Sequence, residues 1–120
     1  MATILIIDDE ETIRVLLRFA LEAAGYEVTE AVNGRAGLEL YRCRPADLVI
    51  TDILMPELNG LDMLLELTRE FLDAKVIAIS GAAEDKHALD VAKLLGARQT
   101  FQKPFSMPHL LDAVRYELEH

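Results

Sequence analysis

VITDILMPELNG, residues 49–60, begins as a run of apolar and β-branched residues and then meets a charge, Asp52. Met55-Pro56 and Asn59-Gly60 follow within a few positions, and both pairs favour turns. An apolar run without polar alternation reads as a strand covered on both faces, as strands of a parallel sheet are. A carboxylate that closes such a strand is either a residue opening a turn, the commoner case for an aspartate taken alone, or a reagent set at the sheet edge. The rest of the chain decides between the two.

Four further runs have strand character: TILII (3–7), YEVTEA (26–31), KVIAIS (75–80) and QTFQ (99–102), with LVIT (48–51) the core of the opening stretch. Between them the apolar residues recur at helical spacing. Ile13, Leu16, Leu17, Ala20, Leu21 and Ala24 precede Gly25, a C-terminal stop. Leu38, Leu40 and Tyr41 follow the cap Asn33-Gly34, and Met63, Leu64, Leu67 and Phe71 follow Asn59-Gly60. Ala88, Val91, Ala92 and Leu95 precede Gly96, and Leu110, Leu111, Val114 and Leu118 follow Ser106, a good N-cap. The alternation predicts a doubly wound α/β domain, (βα)5, with a five-stranded parallel sheet and helices on both faces.

In such sheets ligands bind beyond the C-terminal ends of the strands, where the strand order reverses. The strand exits are therefore the positions that matter. The first ends in Asp8-Asp9, the third in Asp52 and the fourth in Ser80-Gly81, and the fifth leads into Lys103-Pro104. Each has a bland reading in isolation: acids cap and complement helix N-termini, Ser-Gly makes turns, and a lysine before proline sits on a surface. Their convergence on one edge favours chemistry.

Carboxylates brought this close repel by roughly 1 kcal/mol per pair in water and by about 4 kcal/mol at an effective dielectric near 20. A hard divalent cation such as Mg²⁺ offsets that repulsion with oxygen ligands, and Lys103 supplies part of the compensation in its absence. The set also contains what a phosphoryl acceptor needs: a carboxylate nucleophile, charge neutralisation by metal and lysine, and a hydroxyl donor. No histidine reads as a separate base, since His87 and His109 fall in helical segments and His120 lies at the chain end.

Size and charge narrow the classes further. The 120 residues fit one hydrophobic core, and a composition 52% hydrophobic and 28% charged is that of a globular protein. The net charge of -9 argues against sequence-independent nucleic-acid binding, which needs Lys and Arg on phosphates. No apolar run approaches a membrane span, and the N-terminus lacks a signal-peptide layout. The lone Cys43 excludes an internal disulfide and suits a reducing cytoplasm, the expected location. It reads as a small apolar helix residue. Leu118-Glu119-His120 resembles the start of a purification-tag scar, so residues 1–117 are taken as the domain. Arg14, Arg18, Arg35, Arg42 and Arg44 read as solvated helix faces, as do His87, His109 and Met107.

LIIDDE (5–10), DILMPELNG (52–60), AISGAA (78–83) and FQKPF (101–105), in that order, closely resemble a bacterial two-component response-regulator receiver domain, over nearly the whole chain. The resemblance implies a flavodoxin-like sheet of order 2-1-3-4-5 and a phosphorylatable switch that is not a conventional enzyme. It makes Asp52 the phosphoacceptor. Asp9 and Asp52 would ligate Mg²⁺ directly, with the backbone carbonyl of Leu54, and Asp8 would act through a coordinated water. Mn²⁺ could substitute. Ser80 and Lys103 would contact the phosphoryl group, and the Lys103-Pro104 bond is typically cis in this family. Gly60 fits a turn that needs positive φ or a close approach. The donor would be a phosphohistidine on a sensor histidine kinase or phosphotransfer protein, often met on helix one. The output would be the helix-four, strand-five, helix-five surface, which could dimerise, bind a kinase or control an effector domain.

Three positions depart from the family's usual pattern. Thr100 stands where many receivers carry Tyr or Phe three residues before the lysine. Phe101, on the opposite strand face, is expected in the core instead. Leu54 and Ala82 replace side chains that are polar in many relatives, and neither can hydrogen-bond an attacking water, so slowed dephosphorylation is expected. Competing functions fit less well. An aspartate-nucleophile phosphatase would carry a second acid two residues after the nucleophile, where this chain has Leu54. A flavin or nucleotide binder would have a first loop rich in Ser, Thr or Gly, and here it is acidic. A receiver used only as an unphosphorylated docking module has no need of the full residue set.

Overall fold

The computed structural model describes residues 1–53, 60–81 and 86–120. Five strands alternate with five helices: β1 (Thr3–Ile7), α1 (Glu11–Ala23), β2 (Glu27–Ala31), α2 (Gly34–Cys43), β3 (Leu48–Asp52), α3 (Gly60–Glu70), β4 (Val76–Ser80), α4 (Lys86–Leu94), β5 (Gln99–Gln102) and α5 (Met107–Glu119). All the pairings are parallel, and the strand order is β2-β1-β3-β4-β5. The chain thus leaves β1 for β2 on one side and reaches β3 on the other, which puts the reversal between β1 and β3.

Strand alternation sends neighbouring side chains into two separate cores. Leu5, Ile7, Val49, Val76 and Ala78 pack with Leu38 and Tyr41 of α2, Met63, Leu64 and Leu67 of α3, and Ala92 of α4. Ile4, Ile6, Leu48, Ile50, Ile77 and Ile79 pack with Leu17 and Leu21 of α1 and with Leu110, Ala113 and Val114 of α5. Every residue of β3 and β4 is buried. Each fully buried Leu or Ile contributes about 1.5–3 kcal/mol, so the central strands hold the sheet rigid where their ends meet the site.

Local signals end the helices where the sequence predicts. The Asn33 side chain accepts the Ala36 N–H at 2.8 Å, and the Ser106 hydroxyl accepts that of His109 at 3.4 Å. Gly25 and Gly96 adopt φ of 97° and 118°, left-handed conformations that stop α1 and α4. Helix α5 continues through Glu119, with Leu118 packed against the α1/α5 core. Cys43 closes α2, a helix position as the sequence suggests, and is exposed. Among the described residues, no helix is long and apolar enough to cross a membrane.

Candidate functional site

Parallel registry aligns the strand exits. Ile7 pairs with Thr51 and Asp52 with Ile79, so Asp8, Asp52 and Ser80 emerge side by side from β1, β3 and β4. All three are buried, at 1%, 4% and 0% exposure. Lys103 follows β5, its N–H bonded to the Ser80 carbonyl at 2.7 Å, and its peptide bond to Pro104 is cis. Its ammonium turns back over the edge. Nζ lies 3.1 Å from Asp52 Oδ2, 3.3 Å from Asp8 Oδ2 and 3.1 Å from Glu10 Oε1.

Asp8, Glu10 and Asp52 each bring one carboxylate oxygen within 4.8 Å of the others. Three carboxylates against one ammonium leave surplus negative charge in a largely dry site. Asp8 registers it: burial chiefly, and the charge of Asp52, raise its pKa above the usual carboxyl value, against the lowering by the Glu10 N–H and by Lys103. Burial works against the Lys103 ammonium, but the hydrogen bond and charge of Asp52, followed by Asp8 and Glu10, outweigh it and raise the lysine pKa. Hard oxygen donors with excess charge suit Mg²⁺, which takes one or two carboxylates and keeps waters and phosphate oxygens. The Ser80 hydroxyl, wholly buried, has no hydrogen-bond partner among the described residues. A donor left so is costly, by about 1–3 kcal/mol, and suits an acceptor oxygen that arrives with a ligand.

The frame around the acids is tight. The Asp8 carboxylate caps the start of α1 by accepting the Glu10 N–H at 2.9 Å. Thr51 Oγ1 donates to the Asp52 carbonyl at 2.9 Å. Gly60, the first residue of α3, donates its N–H to the Ile53 carbonyl. A Cβ on Gly60 would lie 2.4 Å from the Asp52 carbonyl oxygen and 2.3 Å from the Ile53 Cα, so the glycine serves close approach. Its φ is not positive.

Sequence reading finds Asp8, Asp52, Ser80 and Lys103 together at one sheet edge, where the structure also puts them. Asp9 is exposed and stands outside the acidic group, and Glu10 takes the third position in it. Arg14 is not a solvated side chain: it is 13% exposed, its Nη1 donates to the Asp8 carbonyl at 2.8 Å and its Nε pairs with Glu30 Oε1 at 3.2 Å. Arg18 holds the other Glu30 oxygen at 2.8 Å. The only advance signal for Arg14 is its position one helical turn into α1, near the acid pair. Leu54 and Ala82 lie outside the described residues. Phe101 packs in the α1/α5 core as expected, its ring 6.3 Å from that of Phe105, and Thr100 is half-buried. His87 and His109 are exposed. Beside Lys103 runs a groove lined by Ile13, Leu16, Pro104, Phe105 and Met107.

The family described as "Response regulator receiver domain" matches residues 4–115. The chain is 36% identical over 112 residues to chemotaxis protein CheY of Thermotoga maritima, a match that spans 92% of each protein. It is 37% identical over 121 residues to sensor kinase CckA of Brucella abortus, covering 98% of this chain but 13% of the kinase. Among solved structures, response regulator protein TrrA from Thermotoga maritima in complex with Mg²⁺-BeF superposes with a TM-score of 0.88 at 33% identity, covering 98% of this chain and 99% of that one.

Proposed function

This chain belongs to the receiver domains of two-component response regulators, and from that premise we propose that it is a phosphorylatable switch with Asp52 as its acceptor. The observation that carries the reading is the Lys103 ammonium held 3.1 Å from buried Asp52 at the reversal of strand order. A carboxylate oxygen of Asp52 attacks the phosphorus of a phosphohistidine. The O–P bond forms, the P–N bond breaks, and the imidazole leaves with the electron pair and takes a proton from solvent. Lys103 turns an N–H toward the phosphoryl oxygens, and the unpartnered Ser80 hydroxyl donates to another. Receiver domains bind Mg²⁺ at such acids; here Asp52 and Asp9, the Leu54 carbonyl and, through water, Asp8 would hold it. When bound, it supplies charge neutralisation on the transferring group.

The donor would be a histidine kinase or phosphotransfer protein docked on α1. Val15, Leu16 and Phe19 are 54%, 53% and 77% exposed there, and the patch runs through Leu16 into the groove that reaches Lys103. Phosphorylation would then shift a two-state equilibrium of the α4-β5-α5 surface. With Thr100 in the usual aromatic position, Ser80 is the side chain left to couple site and surface.

The test is incubation with Mg²⁺ and a small acyl-phosphate donor, followed by intact mass. A single phosphoryl adduct that Asp52→Ala abolishes is expected. No adduct with either the small donor or a cognate kinase, or an adduct that survives Asp52→Ala, would overturn the proposal in favour of an unphosphorylated docking module.

A further inference from the structure

We propose that Glu10 is a built-in placeholder for the phosphoryl group, occupying the Lys103 donor that the group must take over and thereby setting how readily the site is charged. The inference rests on Asp52 being the acceptor, as argued above. An ammonium has three N–H donors and no more. In this structure three carboxylate oxygens lie within reach of them: Asp52 Oδ2 and Glu10 Oε1 at 3.1 Å and Asp8 Oδ2 at 3.3 Å. A phosphoryl oxygen that comes to Lys103 must therefore displace one of them.

The three differ in how easily they let go. The side chains of Asp8 and Asp52 are 2% and 5% exposed, and no bulk water stands ready to replace the lost contact; with Oδ1 of Asp52 as the attacking oxygen, Oδ2 stays on the lysine. Asp8 is held besides by the Glu10 N–H and, through its carbonyl, by Arg14. The Glu10 side chain is 60% exposed, so its carboxylate regains hydration on release. Glu10 also stands at the N-cap of α1, where a short polar side chain would normally bond the helix N–H groups; its side chain makes no cap hydrogen bond. It is committed to the lysine and can leave by rotating, with the backbone in place. Its charge opposes an incoming dianion as well, so both effects slow charging.

The test titrates beryllofluoride, a non-covalent phosphoryl mimic, into wild type, Glu10→Ala and Glu10→Gln at saturating Mg²⁺ by calorimetry, with Mg²⁺ alone in parallel. Thermal melts confirm that the variants fold. Exposed ammonium–carboxylate contacts are worth little, so Glu10→Ala should bind beryllofluoride about two- to five-fold more tightly. Glu10→Gln, which keeps an acceptor, should gain less. Binding to Glu10→Ala that equals or falls below wild type overturns the inference. So does a loss of Mg²⁺ affinity beyond about ten-fold, which would place Glu10 on the metal. Wild-type protein that neither binds beryllofluoride nor accepts a phosphoryl group removes the acceptor reading itself, and the inference with it.

Discussion

Replacing Lys103 by Met keeps most of the side chain's length and deletes its charge. Two buried carboxylates then lose their counter-ion. At 3.1 and 3.3 Å, each pair is worth about 5 kcal/mol at an effective dielectric near 20. Desolvation of the ammonium, recovered in the variant, offsets a large part of this. Breaking a buried pair by removing one partner costs about 3–5 kcal/mol, and the lower end applies because Asp8, whose pKa is already raised, can take up a proton. A loss of about 3 kcal/mol lowers Tm by roughly 12 °C in a domain this size. The pH dependence has a definite sign. The folded-state pKa of Lys103 is raised above 10.5, so the stability it contributes is complete below that pH and is lost as pH climbs through the folded value. Wild type should therefore lose stability above pH 10.5 relative to Lys103→Met. Mg²⁺ would neutralise the carboxylates that the variant leaves without a counter-ion, so it should raise the variant's Tm by more than that of wild type. Differential scanning calorimetry with and without Mg²⁺ reads all three. A metal-free variant melting within about 2 °C of wild type would refute the view that this lysine neutralises the site.

Ser80→Ala separates stability from function: removing an unpartnered buried hydroxyl should leave metal-free stability unchanged or higher by about 1 kcal/mol, while phosphorylation slows. A loss of more than about 1 kcal/mol by urea titration would mean the hydroxyl has a partner in the folded protein. Gly60→Ala drives a methyl group into the backbone at Asp52 and Ile53, and should cost about 1–3 kcal/mol by urea titration and reduce acyl-phosphate labelling. A wild-type midpoint would contradict that close approach. Leu54→Asn introduces a side chain able to orient water and should shorten the life of the phosphorylated form, followed by mass spectrometry over time. An unchanged dephosphorylation rate would remove the role given to Leu54.

Much of this molecule is legible in its sequence because strand exits are fixed by where apolar runs stop. Asp8, Asp9, Asp52, Ser80 and Lys103 all follow from that geometry, but it does not tell that Asp9 stands outside the acidic group. Strand boundaries shift by one residue at Tyr26, Lys75 and Asp52, where the sheet's hydrogen bonding, which composition does not encode, decides membership. The order of the strands is not in the periodicity; it comes with the family. Rotamers and cross-strand partners are not written in spacing either. Arg14 shares its helical turn with Arg18 and looks solvated until Glu30 of β2 is placed opposite both. Of the acids at positions 8–11, only the fold shows that the third, and not the second, turns toward Lys103.

The sheet also acts as a partition. Helix α1 and α5 rest on one core and α2, α3 and α4 on the other, with the five strands between. Energetic changes on one side should be additive with those on the other, to within about 0.3–0.5 kcal/mol for a pair such as Leu17→Ala and Leu64→Ala. The two sides meet at the strand exits, among Asp8, Asp52, Ser80 and Lys103. Side chains packed on one side can then vary independently of those on the other, each constrained by its own core and both by the same few polar groups.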